Sequence, residues 1–254
     1  MQLLLKSSAL ILATALSLPA FADDDGITPY RPSVSSPAQL PLAGQLEMEL
    51  GGLHAKADDM RRDSLPYQFK LAFNKEWGIL LGGEAFVTAR DAFGNRERGI
   101  GDTSVVLKRA LLVDDSTAFG LELGIKLPTA RDTIGSGKTD YTLNSIFSKD
   151  LGKVHMDANL NFTRLGAIDI DTGRTQSGMS ASFSLPIADQ WGVTGELSGT
   201  RRSGTPHTAQ FLTALAYSPS KKLTIDFGVA KGLNDASPGW SVFSGLVFPL
   251  AKFW

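Results

Sequence analysis

From Gly44 onward, apolar and polar positions alternate with a period of two. Leu65, Tyr67, Phe69, Leu71 and Phe73 alternate with Pro66, Gln68, Lys70, Ala72 and Asn74. The same pattern places Phe119, Leu121, Leu123, Ile125 and Leu127 against Gly120, Glu122, Gly124 and Lys126. It recurs in Val154–Phe162, with His155, Asp157, Asn159 and Asn161 on the polar side, and in Leu223–Val229 around Asp226. Successive side chains of a strand point to opposite faces, so each segment has one apolar face and one polar or small face. Twelve strands are predicted, at about 44–56, 65–73, 77–89, 102–112, 117–127, 140–149, 154–164, 176–186, 191–200, 208–217, 222–230 and 240–250. Most have roughly the 9–11 residues that a tilted strand needs to cross a bilayer. In the third, the alternation puts Leu80 and Phe86 on the face of Glu84.

The connections sharpen this picture. Residues 74–76, 113–116, 150–153, 187–190 and 218–221 are short, and 57–64, 90–101, 128–139, 165–175, 201–207 and 231–239 are long. Short and long alternate along the chain. An antiparallel barrel with an even number of strands, short turns at its periplasmic end and longer outer loops has this order. The expected fold is therefore an all-β, twelve-stranded antiparallel transmembrane β-barrel of the Gram-negative outer membrane, over residues 44–254.

Which face points outward follows from three features. Twelve strands enclose a lumen too wide to pack dry easily. The polar face carries Gly, Ser, Thr, Asn and charge, as a wetted surface would. Trp77 and Trp191 follow tight turns and Phe73 and Tyr217 precede them, forming one aromatic girdle. Arg109 lies on the apolar face, near a turn from which its head group reaches the interface. The apolar face thus meets outer-membrane lipid. The terminal Phe253-Trp254 pair suits recognition of Trp254 by the barrel-assembly machinery.

Residues 1–22 read as a cleaved signal peptide: Lys6, an apolar stretch from Ser7 to Pro19, then Ala20-Phe21-Ala22 before Asp23. Export to the cell outer membrane follows. Residues 23–43, with Pro29, Pro32, Pro37 and Pro41, have neither period and are expected as an extended periplasmic segment; a plug is the alternative reading. The 254-residue chain carries a net charge of −1 and no cysteine. Near-neutrality excludes a general nucleic-acid binder, and the missing thiols exclude cysteine catalysis, iron–sulfur clusters and disulfides.

Several stretches resemble a family of outer-membrane transporters named after the meta-cleavage pathway of phenol degradation. They are Gly99-Ile100-Gly101-Asp102 leading into Val105–Lys108, Gly120-Leu121-Glu122-Leu123-Gly124 with Lys126-Leu127-Pro128-Thr129, and Gly135-Ser136-Gly137 with Thr139-Asp140-Tyr141. The resemblance implies a barrel that passes or recruits small, often hydrophobic compounds. Pro249 and Lys252 depart from the simplest family ending, a strand running straight to a terminal aromatic.

The candidate site is the polar face. Its acids are Glu47, Glu49, Glu84, Asp102, Glu122, Asp140, Asp157, Glu196 and Asp226; its bases are Lys70, Lys108 and Lys126, with Asn144, His155, Asn159 and Asn161 completing the expected pore lining. Counting through the turn at 113–116 pairs Glu122 with Lys108 and Asp102 with Lys126, and Lys70 should meet Glu47 or Glu49. That leaves unpaired acids, which either form a wall lattice or attract cations and donors on a neutral solute. Gly135–Thr139 resembles the end of a phosphate loop but lacks its earlier glycine and its helix, so it reads as an outer loop. His155 and Asp157 could form a base–carboxylate pair, whereas the three histidines are too scattered for a metal site. The expected function is passive uptake or efflux of small molecules, aromatic or hydrophobic compounds among them, with loops 90–101 and 128–139 as a gate. No catalytic residue, cofactor or metal is expected. The alternatives are a membrane-embedded hydrolase and a closed structural barrel.

Overall fold

The computed structural model describes residues 26–254; the expected leader, 1–22, lies outside the described residues. Thirteen strands are present among them. They are β1 (Gln45–Ala57), β2 (Met60–Ala72), β3 (Trp77–Arg90), β4 (Arg96–Gly99), β5 (Thr103–Asp114), β6 (Thr117–Leu127) and β7 (Asp140–Leu151). There follow β8 (Val154–Arg164), β9 (Thr175–Ala188), β10 (Trp191–Arg202), β11 (Thr208–Ser220), β12 (Leu223–Gly232) and β13 (Trp240–Lys252). Every pairing between these strands is antiparallel, and β1 bonds to both β2 and β13, so twelve strands close into a barrel. The extra element, β4, pairs only with the far end of β3, at Val87–Arg90, inside the connection expected to be one long loop.

The barrel has a turn end and a loop end. Short turns join β2 to β3, β5 to β6, β7 to β8, β9 to β10 and β11 to β12 at one end. At the other, the expected 57–64 loop is replaced by a two-residue turn. β2 begins at Met60 and its polar run Arg61-Arg62-Asp63 pairs with Lys56, Ala55 and His54 of β1, while Asp58 takes a left-handed φ of 51° to close the hairpin. Ladder hydrogen bonds there outweigh the lack of apolar alternation.

The burial pattern is inverted relative to a water-soluble domain. Its largest fully buried side chains include Lys70, Lys108, Glu47, Glu196 and Asp226, while Leu121, Leu123, Phe162, Leu197 and Phe227 stand exposed on the outer wall. At the turn end the rings of Trp191 and Tyr217 are 4.7 Å apart on that wall, and Arg109 lies 5.3 Å from the Trp77 ring centre with Glu76 at 3.4 Å.

Two bulges correct the alternation. Ser64 pairs with Val87 but Pro66 with Glu84, so β3 holds one extra residue at 85–86. That residue reverses the parity: Val87 is buried inside and Phe86 is 45% exposed outside, not on the face of Glu84. The second shift follows Pro249, where Leu46 pairs with Ala251 and Glu47 with Pro249. Proline has no N–H for the ladder, and the strand accommodates it at this bulge.

Inside the loop-end half, Leu53, Leu212, Ala214, Ala230 and Phe243 form a small apolar cluster against the wall. The Phe243 ring lies over Gly228, where a Cβ would sit 2.6 Å from that of Ala214.

Candidate functional site

Residues 23–43, expected as an extended periplasmic segment with a plug as the alternative, take the alternative's place: the described part, from Gly26, enters the turn-end half of the lumen and crosses it. Four prolines deprive the segment of the donors a strand would use. Its remaining amides still need acceptors once buried, and wall side chains supply them. Thr28 N donates to Glu47 at 3.1 Å and Tyr30 N to Glu49 at 2.7 Å. Val34 N and Ser35 N both donate to Glu196 Oε2 at 2.9 Å. Ser36 exchanges two hydrogen bonds with the Asn159 amide, both 2.9 Å, and Ala38 N donates to Ser148 Oγ at 2.8 Å.

Charge closes the same contacts. Lys70 lies 3.0 Å from Glu47 and 2.6 Å from Glu49, and also donates to the Thr28 carbonyl. Lys108 lies 3.1 Å from Glu122 and donates to the Pro37 carbonyl. Both ammonium groups sit over the buried Tyr30 ring, 4.3 and 4.1 Å from its centre, two cation–π contacts to one aromatic. The Tyr30 hydroxyl donates to the Gln39 carbonyl at 2.8 Å, bracing the segment on itself. Arg31 reaches across to Asp226 through two parallel 2.9 Å bonds. The approach requires Gly51 in the wall, because a Cβ there would lie 2.7 Å from Arg31 Nη1.

A second charged group lies toward the loop end. Lys126 bridges Asp102 at 3.2 Å and Asp140 at 2.9 Å and donates to Ser136 Oγ of the 128–139 loop. The same carboxylates accept from Ala130 N at 3.1 Å and Gly166 N at 2.8 Å, so two outer loops are fastened to the rim. Glu84 stands apart from both groups and pairs with Arg62.

These contacts remove the expected surplus of unpaired acids. Arg31, Arg62 and His155 were not counted among the bases, and the segment's amides were not counted as donors. With them, Asp226, Glu84, Asp157 and Glu196 each have a partner, and Asp140 shares Lys126. No sequence signal marked Arg31, since it lies in a stretch without periodicity. Ser148 could have been found, because it falls on the polar face of β7 opposite Asp157.

The His155 arrangement does not suit a hydrolase. Its Nδ1 faces Asp150 at 2.6 Å and its Nε2 faces Asp157 at 3.1 Å, so both ring nitrogens are engaged by carboxylates. Ser148 Oγ donates to Asp157 at 2.5 Å and does not contact the imidazole. A base must touch the nucleophile it activates.

The segment leaves space on both sides. Toward the turn end, a cavity of about 550 Å³ lies between Thr28, Tyr30 and Pro37 and the wall at His155, Asp157, Trp191 and Thr194. On the loop side, a chamber of about 250 Å³ is lined by Val34, Asn144, Asn159, Asn161, Ser180, Ser198, Thr200 and Gln210. Its functional groups are amides and hydroxyls, which donate and accept without net charge. Asn144 donates from Nδ2 to Glu122 at 2.9 Å and to Asn159 at 3.1 Å, while its buried Oδ1 accepts no hydrogen bond.

Residues 31–250 match the model of the family described as "Putative MetA-pathway of phenol degradation". No curated protein matches the sequence. Among solved structures, an outer-membrane channel from Pseudomonas putida F1 is similar, with a TM-score of 0.67, 12% identity, and 84% of this chain and 98% of that one covered. The NanC porin gives a TM-score of 0.60 at 10% identity, covering 80% of this chain and 100% of that one. The CymD monoaromatic hydrocarbon channel gives 0.52 at 7% identity, covering 84% and 90%. At these identities the likeness is one of fold.

Proposed function

This chain belongs to the phenol meta-pathway family, and from that premise we propose that it is an outer-membrane channel for small, largely uncharged molecules. The observation that carries the reading is the lumen itself: a chamber of neutral amides and hydroxyls, separated from the turn-end cavity by one non-strand segment. Neutral donors and acceptors bind phenol-like or other hydroxylated solutes without the desolvation cost that fixed charge imposes on weakly polar molecules. The family description, with phenol in its name, supports the same substrate class. Residence in the outer membrane, with the turn end toward the periplasm, agrees with the apolar outer wall and the aromatic girdle.

On this reading residues 26–43 are the constriction, and transport requires the segment to move aside. The dense bonding of that segment favours a second reading, a closed barrel that conducts nothing. Planar-bilayer recording separates the two. A channel gives discrete steps that grow when Arg31→Ala or Asp226→Asn loosens the segment, together with faster entry of phenol-sized solutes into proteoliposomes. Silent bilayers for the wild type and for both variants overturn the channel reading.

A further inference from the structure

The cross-strand register near the loop end aligns cations that share one face. Lys231 pairs with Trp240, Trp240 with Lys56, Lys56 with Arg61, Arg61 with Arg90 and Arg90 with Arg96. Residues directly opposite in a ladder point to the same side. That side is the outer wall, because the row continues the parity of the exposed Val229, Val242, Leu65 and Phe86. Lys56 is half-buried and the other four cations are exposed. Five positive side chains thus stand in adjacent positions over β12, β13, β1, β2, β3 and β4, with an interface-type aromatic between them.

Like charges directly opposite in a sheet destabilise it. None of the five side chains takes part in an ion pair or hydrogen bond among the described residues, and the nearby acids are otherwise engaged or displaced. Asp63 is held by His54 at 2.5 Å, Asp91 by Asn95 at 2.8 Å, and Asp58 and Asp59 lie at the tip of the β1–β2 turn. The row borders the lipid-facing band directly. A wall that is apolar below and cationic above fits a molecule that is acyl below and multiply anionic above.

We propose that this row binds the phosphorylated headgroup of the outer-leaflet glycolipid, lipopolysaccharide, against the outside of the barrel. The arginines offer planar paired donors to phosphate oxygens, Lys56 and Lys231 supply further charge, and Trp240 sits at the boundary with the acyl region. The inference rests on the chain's place in the outer membrane and not on transport through its lumen.

The test uses the full barrel reconstituted in phosphatidylethanolamine vesicles containing either bisphosphorylated lipid A or the same lipid A stripped of phosphate. The readout is glycolipid retained per barrel after extraction. The wild type should retain the phosphorylated form and lose it in high salt, and it should not retain the stripped form. Each charge removed should weaken retention about fivefold, the usual scale for a cation at an anionic surface, so R61Q/R90Q/R96Q should lose on the order of a hundredfold. R164Q/R201Q, removing two exposed cations from the far wall, should behave as the wild type. Equal retention of both lipid A forms by the wild type, or undiminished retention by the triple variant, overturns the proposal. Heat-modifiable gel mobility checks that each barrel is closed. If the triple variant fails that check, R61Q alone and the comparison of the two lipids on the wild type still decide the matter. Unchanged conductance in the triple variant would leave the channel reading intact whichever way the lipid result falls.

Discussion

Arg31 of the lumen segment and Asp226 of the wall strand β12 form a two-bond ion pair, Nε and Nη2 each 2.9 Å from a carboxylate oxygen, between residues 195 positions apart in sequence. Asp226 is fully buried, and the Arg31 side chain is 18% exposed. Removing one member of such a pair leaves the other charge buried alone, at a cost of about 3–5 kcal/mol. Arg31→Ala should therefore unseat the segment. The expected outcome is a rise in single-channel conductance and new protease sensitivity near residue 31, with heat-modifiable mobility retained. Unchanged conductance and protection would show that the pair does not hold the segment.

Lys70 is the wall's main counterion, between Glu47 and Glu49. Lys70→Met leaves two buried carboxylates facing each other and should lower the unfolding temperature more than any single Gln substitution at either acid. Adding E47Q and E49Q to Lys70→Met should recover much of the loss, since three neutral groups bury at less cost than two unpaired charges. Detergent melts of the wild type, Lys70→Met, each single Gln variant and the triple variant measure this.

Asn159 holds Ser36 by two backbone bonds and also accepts from Asn144. Asn159→Ala removes all three contacts from one position. Neutral contacts contribute about 0.5–1.5 kcal/mol each, so the segment should open intermittently and not detach. Recordings should show more frequent flickering with the same fully open level.

Gly228 supports the Phe243 ring. Gly228→Ala should cost about 1–3 kcal/mol through overpacking of the inner wall, measured as a lower melting temperature, while segment-dependent conductance stays at the wild-type level.

His155 contacts two carboxylates and no nucleophile. His155→Ala should leave solute uptake unaltered within about twofold, because the imidazole contacts wall carboxylates and holds no part of the lumen segment. Ester or peptide hydrolysis by the wild type that disappears in this variant would restore the enzyme reading.

How far the sequence reaches can be judged from particular residues. The Lys108–Glu122 and Lys126–Asp102 pairs follow from counting through one tight turn, because an antiparallel register is fixed once its turn is known. Phe86 was misplaced because a bulge adds one residue without a local signature, and a single residue reverses every later face. The β1–β2 hairpin was cut short because Arg61, Arg62 and Asp63 are polar on both faces. The lumen segment was the largest loss. Periodicity reports strands, and Pro29–Pro41 has none; that its amides point at Glu47, Glu49 and Glu196 becomes visible only when the wall closes around it.

The segment is bonded to β1, β2, β5, β7, β8, β10 and β12 at once. Mechanically, it is a cross-brace spanning the tube from the wall on one side of the β1–β13 seam to the wall opposite. An unbraced ring of hydrogen-bonded strands flattens easily, whereas one tied across its width keeps its section. Releasing the brace therefore changes the shape of the whole tube as well as clearing its bore, so that the ease of passage and the stiffness of the wall rise and fall in opposite senses.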